Sequence, residues 1–174
     1  SIGIELAPED VTYRCNLVTL SGASTIDETT MLDYSAGEIS SAEARELVDV
    51  INERFADAAR RIYPGVSYRQ CFVMRGAEEG AELTPPHDIS RRPVEGKLPK
   101  GRNAALLREM MEYAYAVLKE HPVNRARVQA GKNPANAIWF WGEGRRPALK
   151  PFFAMRGVRG GVISAVDLIQ GIGK

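Results

Sequence analysis

Apolar and polar positions alternate with two different periods along this chain, and the switches between them mark out the elements. Residues 10–20 (Asp-Val-Thr-Tyr-Arg-Cys-Asn-Leu-Val-Thr-Leu) alternate with period two, which predicts a strand. Val11, Tyr13, Cys15, Leu17 and Thr19 share one face, with Arg14 and Asn16 on the other. Residues 21–34 are polar and turn-like. From Ala44 the period becomes helical: Ala44, Leu47, Val48, Ile51, Phe55, Ala58 and Ile62 form one stripe. Ser40 and Glu43 stand in capping-box spacing ahead of it, and Pro64-Gly65 follows, so a helix is predicted over about 41–62. Residues 66–74 predict a second strand, with Tyr68, Phe72 and Met74 set against Arg69 and Val73. A second amphipathic helix is predicted over 103–119, with Leu106, Leu107, Met110, Ala114, Val117 and Leu118 inward. His121-Pro122 breaks the chain before a short polar helix that carries Arg125 and Arg127. Residues 136–141 (Asn-Ala-Ile-Trp-Phe-Trp) predict a short buried strand followed by a Gly142-Glu143-Gly144 loop. Further on, the pattern predicts a helix over 148–156, a strand over 158–166 and a helix from Asp167. Strands alternating with helices point to an α/β fold, with a mixed β-sheet layered by amphipathic helices.

Residues 76–102 make the longest irregular stretch, with four of the ten prolines. Loops of this length in a compact domain are usually functional or disordered. At its centre lies Thr84-Pro85-Pro86-His87-Asp88-Ile89-Ser90, where a histidine stands beside a carboxylate.

Composition narrows the classes. A length of 174 residues fits one domain with a core of its own. No apolar run reaches the ~20 residues of a membrane-spanning helix. Two cysteines are too few for a disulfide framework, and both lie in strand-like runs, which fits reduced thiols in a cytoplasmic protein. A net charge of +1 excludes nucleic-acid binding by bulk charge. Arginine outnumbers lysine, 17 to 6. A GC-rich genome accounts for most of that excess, but Arg14, Arg69 and Arg75 sit on strands, where a planar fork can grip a phosphate or carboxylate. The plainer alternative for Arg14 is an arginine in solvent. His87 and Asp88 are either an ordinary turn or a lid. The Gly142-Glu143-Gly144 loop permits close backbone approach, but it is neither a dinucleotide nor a phosphate-loop fingerprint. No metal-ligand spacing and no nucleophile with a placed base is present.

Several segments taken in order carry a resemblance. They are Gly3-Ile4-Glu5-Leu6, Asp10-Val11-Thr12-Tyr13-Arg14-Cys15-Asn16-Leu17, Ala36-Gly37-Glu38-Ile39, Tyr68-Arg69 and Val73-Met74-Arg75-Gly76. His121-Pro122-Val123-Asn124, Arg127, Ala135-Asn136, Gly142-Glu143-Gly144 and Leu168-Ile169 with Gly171-Ile172 and Lys174 continue it. Together these resemble the archaeal-type cofactor-independent phosphoglycerate mutases of the alkaline phosphatase superfamily. The resemblance implies an inserted substrate-binding domain over about 1–155 and, over 156–174, the start of a return into a metal-binding core. The opening at Ser1, without an initiator methionine, is read as a cut through a larger protein.

The resemblance also implies the chemistry: phosphate moves between the 2- and 3-hydroxyls of glycerate through a phosphoserine in the core. Two divalent metal ions (Mn, Mg or Zn) are expected in that core and none in this stretch, which alone is expected to be inactive. The implied partners are phosphoglycerate or a similar small phosphorylated acid and the chain's own core domain, with no nucleic acid and no membrane. Arg14 and Arg69 would clamp the anion and Asn16 would donate to it. His87 and Asp88 would close over it, and Arg75, Arg127 and Glu143 complete the expected substrate-binding set. Two departures stand out. Trp141 occupies the place of an arginine, and Thr84–Ile89 replaces an Asp-x-Asp-Pro stretch. They keep two alternatives open: a related phosphotransferase with another acceptor (the homoserine kinase reading), and a stand-alone binding module for a small anionic metabolite.

Overall fold

The computed structural model describes residues 3–147 together with 154, 156 and 157. Its elements run β1 (Val11–Leu20), β2 (Met31–Asp33), α1 (Ser41–Phe55), β3 (Arg60–Pro64), β4 (Arg69–Met74), β5 (Ala81–Glu82), β6 (Lys100–Gly101), α2 (Ala104–Leu118), α3 (Pro122–Gln129) and β7 (Ala137–Arg145). Single 3-10 turns cover Ile26–Glu28 and Pro86–Ile89.

β1 is the centre of a five-stranded sheet. β4 pairs along one side of it and β7 along the other, β3 lies outside β4, and β2 pairs with the far end of β1 at Thr19 and Leu20. Leaving β2 aside, the strands stand in the order β3-β4-β1-β7, the split β-α-β-β-α-β arrangement of ferredoxin-like folds. The α/β layering agrees with the sequence, but the sheet is not mixed: every pairing among the described residues is antiparallel. β1, α1 and β3 make a crossover that would set two strands parallel. The tight β3–β4 hairpin then returns β4 into the gap between β1 and β3, so no parallel strands become neighbours.

The core lies between the sheet and the two long helices. Val11, Tyr13, Cys15, Leu17, Phe72 and Phe140 face Leu47, Val48 and Ile51 of α1 and Leu107, Met110, Met111 and Ala114 of α2, all nearly inaccessible. Tyr13, Phe72 and Phe140 form an aromatic trio with ring centroids 5.2–6.4 Å apart. The capping box forms as read: Ser40 Oγ accepts from the Glu43 amide, and the Glu43 carboxylate accepts from the Ser40 amide.

α1 stops at Phe55, short of the expected 62. Asp57 Oδ1 accepts from the amides of Ala59 and Arg60, which turns the chain out of the helix. The Asn52 carboxamide then bonds both backbone groups of Ile62, at 2.8 and 3.0 Å, docking β3 against the helix end. Ile62 is buried because it alternates inward on β3, while Ala58 is exposed. β4 is likewise shorter than expected, because Val66–Tyr68 belong to the hairpin.

β7 runs past the expected strand and through the glycines to Arg145. Thr12 pairs with Gly144 and Arg14 with Trp141, so two steps on β1 face three on β7. This is a β-bulge, and Gly142 at φ +61° supplies its left-handed residue. Because the bulge resets the alternation, Glu143 turns to the Tyr13 side of the sheet rather than following Trp139 and Trp141. The long 76–102 stretch is closed by the β5–β6 ribbon and docked by Ile89, Val94 and Leu98, which are buried. Of the helix expected over 148–156 only Ala154 and Arg156 are described, and both are helical; the strand over 158–166, the helix from Asp167 and, Arg156 and Gly157 apart, the expected return into a core over 156–174 lie outside the described residues.

Candidate functional site

The sheet face opposite the helices carries Arg14, Asn16 and Arg69, three of the residues the sequence singled out. Register sets Tyr63, Cys71, Arg14 and Trp141 in one row across β3, β4, β1 and β7. The next row holds Arg69, Asn16 and Trp139. Arg14 and Arg69 are therefore diagonal neighbours, a relation that places Cα atoms about 7–8 Å apart.

The Arg14 guanidinium lies over the Trp141 ring, 4.6 Å from its centroid. Gly142 makes this possible, since a Cβ there would meet Arg14 Cδ at 3.2 Å. Trp141 Nε1 donates to Asn16 Oδ1 at 2.9 Å, and Asn16 Nδ2 donates to the Tyr34 carbonyl at 3.0 Å. The Asn16 carboxamide is thus held at both ends and is buried. Arg69 stacks on Tyr68 with 4.2 Å from guanidinium carbon to ring centroid, and the Tyr68 ring meets Tyr34 edge-on. Burial pushes the Tyr68 phenol up, against the pull of Arg69.

His87 comes down from the proline-rich loop. Its ring meets Trp141 edge-on at 5.0 Å between centroids and Tyr34 at 6.3 Å. The loop is anchored by Trp139, whose Nε1 donates to the Thr84 carbonyl. Asp88 is exposed beside His87, with 3.8 Å between Oδ1 and Nε2. Arg14 and Arg69 have no carboxylate partner among the described residues, so two cations face solvent with aromatic walls around them.

Arg75, Arg127 and Glu143 are spent elsewhere. Arg75 pairs with the buried Asp10 and donates to the Glu5 carbonyl. Burial alone would raise the Asp10 carboxyl, but hydrogen bonds from the Ala7 amide, Arg75 and the Gly76 amide together hold it below the usual range. Arg127 is buried, pairs with Glu43 at 3.1 Å, and donates to the carbonyls of Asn133 and Ala36. Glu143 accepts from the Tyr13 hydroxyl at 2.8 Å and from the Gly80 and Ala81 amides. These three tie the domain together and stand apart from the Arg14 cluster.

The residues that sequence reasoning missed are the walls: Tyr34, Tyr68 and Trp141. Trp139 and Trp141 sit two apart in a strand, so they must share a face with each other, and that was the available signal. Among the described residues, no group of three or more His, Cys, Asp or Glu is placed to hold a metal ion. No helix among them is long and apolar enough to cross a membrane.

Fold and site define an α/β domain with an arginine-bearing, aromatic-walled face. Residues 1–124 match the model of one family, described as 2,3-bisphosphoglycerate-independent phosphoglycerate mutase. A mutase of that name from Methanosarcina mazei is 45% identical over 99% of this chain and 42% of its own length. A probable one from Geobacter sulfurreducens is 46% identical over 99% of the chain and 43% of its own. The chain belongs to the 2,3-bisphosphoglycerate-independent phosphoglycerate mutase family. It spans well under half the length of these relatives. The fold is shared with a cofactor-independent phosphoglycerate mutase from Thermoplasma acidophilum, at a TM-score of 0.66 and 23% identity over 99% of this chain and 47% of that one.

Proposed function

We propose that this chain is the substrate-binding insert of a metal-dependent phosphoglycerate mutase, and that the Arg14–Arg69 face holds the glycerate anion. The observation that carries the reading is the pair of unpartnered arginines, each laid on an aromatic ring, beside a carboxamide fixed at both ends. Arginine presents paired donors to a carboxylate or phosphate, and stacking on a ring limits the freedom it loses on binding. His87 and Asp88 close over the anion from the loop.

Divalent metal ions held outside this stretch would stabilise charge on the moving phosphoryl group. No group of residues described here fits them. The serine that carries the phosphoryl group between the 2- and 3-hydroxyls also belongs to the remainder of the protein. Phosphoryl transfer depends mainly on positioning and charge stabilisation, and positioning is the insert's share.

Two measurements test this. The full-length protein should convert 3- to 2-phosphoglycerate, and Arg14→Lys with Arg69→Lys should raise KM at least about thirtyfold, each lost fork being worth about 1–3 kcal/mol. Normal kinetics in that double variant would remove the anion clamp. The chain alone, given manganese, should show no turnover; conversion by the pure chain would restore a self-contained enzyme. Trp141, standing where the resemblance has an arginine, favours a second reading in which the acceptor differs. Turnover of another hydroxyl acceptor in preference to phosphoglycerate would support it.

A further inference from the structure

We propose that Trp141 is a positioning residue of this face, a single indole that sets Arg14, Asn16 and His87 relative to one another. The inference rests on the anion-clamp reading above and adds the group through which that clamp is pre-organised.

The three residues arrive from different segments: Arg14 and Asn16 from β1, and His87 from the 3-10 turn of the long loop. Trp141 meets all three. Its π face lies against the Arg14 guanidinium at 4.6 Å. Its Nε1–H donates to Asn16 Oδ1 at 2.9 Å, which fixes which way the carboxamide is flipped and turns Nδ2 to the Tyr34 carbonyl. It also meets the His87 imidazole at 5.0 Å between centroids, with planes at 77°. Remove the indole and Arg14 regains its rotamers, Asn16 loses one of its two tethers, and His87 keeps only Tyr34 as an aromatic neighbour.

The backbone is arranged for this contact. Trp141 is the direct cross-strand partner of Arg14, and the bulge begins at the very next residue. Gly142 adopts φ +61° and leaves the space that the Arg14 methylenes occupy. Trp141 itself is only partly buried, so the core does not depend on it as it depends on the fully buried Trp139.

The test uses the full-length protein and phosphoglycerate as the probe. A pre-organising group acts on binding, so Trp141→Leu should raise KM about tenfold, the range of one solvent-facing cation–π contact together with a lost hydrogen bond, with kcat within about threefold. Trp141→Phe keeps a ring face and loses the N–H donor, and should recover part of the loss. The double variant Arg14→Lys/Trp141→Leu separates the roles. If Trp141 works through Arg14, its removal costs much less in the Arg14→Lys background than in the native one. Fold-changes that simply multiply would overturn the proposal, as would an unchanged KM in Trp141→Leu. An unchanged KM in Arg14→Lys alone would instead sink the clamp reading itself. A melting temperature within about 2 °C of native for each variant confirms that the comparison is between folded proteins. Should Trp141→Leu fold poorly, Trp141→Met, which also removes the ring face, and its cycle with Arg14→Lys carry the same decision.

Discussion

Arg14 and Trp141 are direct cross-strand partners, and the guanidinium of one lies 4.6 Å from the ring centroid of the other. An arginine in bulk solvent would not need a glycine beside its partner to make room for it. Arg14 is exposed, yet its side chain packs on the Trp141 ring and beside Gly142 rather than extending freely into solvent. Arg14→Lys keeps the charge but loses the planar stack and the fork. It should weaken phosphoglycerate binding in the full-length protein about tenfold while leaving the melting temperature within about 2 °C. Isothermal titration and a thermal melt check this pair of outcomes.

Gly142→Ala should damage both stability and binding. Its φ of +61° is strained for any residue with a Cβ, and that Cβ would press on Arg14. A loss of about 1–2 kcal/mol in chemical denaturation is expected, together with a KM that rises as in Arg14→Lys. A variant with native KM would show that the bulge does not govern Arg14.

Arg127→Ala should do the opposite of Arg14→Lys. Removing this buried cation leaves the Glu43 carboxylate with only its Ser40 donors and the carbonyls of Ala36 and Asn133 without theirs. Stability should fall by about 3 kcal/mol, with KM little changed once the protein is folded. Urea unfolding set beside steady-state kinetics distinguishes this structural arginine from the two on the site face.

Acid should unfold the domain through its depressed carboxyls. For Asp10, Asp33 and Glu43, burial opposes the charged form, but hydrogen bonds from amides and side chains outweigh it and hold each carboxyl low. A folded-state value below the unfolded one contributes stability above the ordinary carboxylate range of about 4, lost as pH falls through the folded value. Asp10→Asn should flatten the acid limb of a melting-temperature profile, and should leave it flat between about pH 6 and 8 as in the native protein. A native acid limb in Asp10→Asn would remove Asp10 from that account.

Neither thiol should react with a disulfide reagent at pH 8 while the protein is folded. Burial raises both, Cys71 to about 11 and Cys15 further. At that pH the Cys71 thiolate is on the order of one part in a thousand. Reaction of both should appear only on unfolding, measured as a burst when guanidinium is added.

Much of this was legible in the sequence, and what was not has identifiable causes. The alternation in β1 put Arg14 and Asn16 opposite Tyr13 and Cys15, and period two leaves no other choice. The Ser40/Glu43 box and the α2 stripe were equally direct. β3 was invisible because Phe55, Ala58 and Ile62 keep helical spacing across a chain reversal that Asp57 makes locally. The antiparallel order depends on which strand fills a gap, a fact no local window contains. Arg75 and Arg127 looked like Arg14 because their partners, Asp10 and Glu43, lie 65 and 84 residues away. The bulge hid inside a Gly-x-Gly that reads as a loop.

Strand β1 sends alternate residues to opposite sides, one set into the packed interior and the other, at Arg14 and Asn16, to the open face. A slip of one residue against β4 or β7 would therefore drive Arg14 into the aromatic trio and bring Tyr13 out into water. Such a misaligned chain has nowhere to put the charge. The same ladder that assembles the arginine cluster thus proofreads it: copies with the face built wrongly should not persist as folded protein, and impaired binding through misregistration should surface as lost yield rather than as a weakly active population.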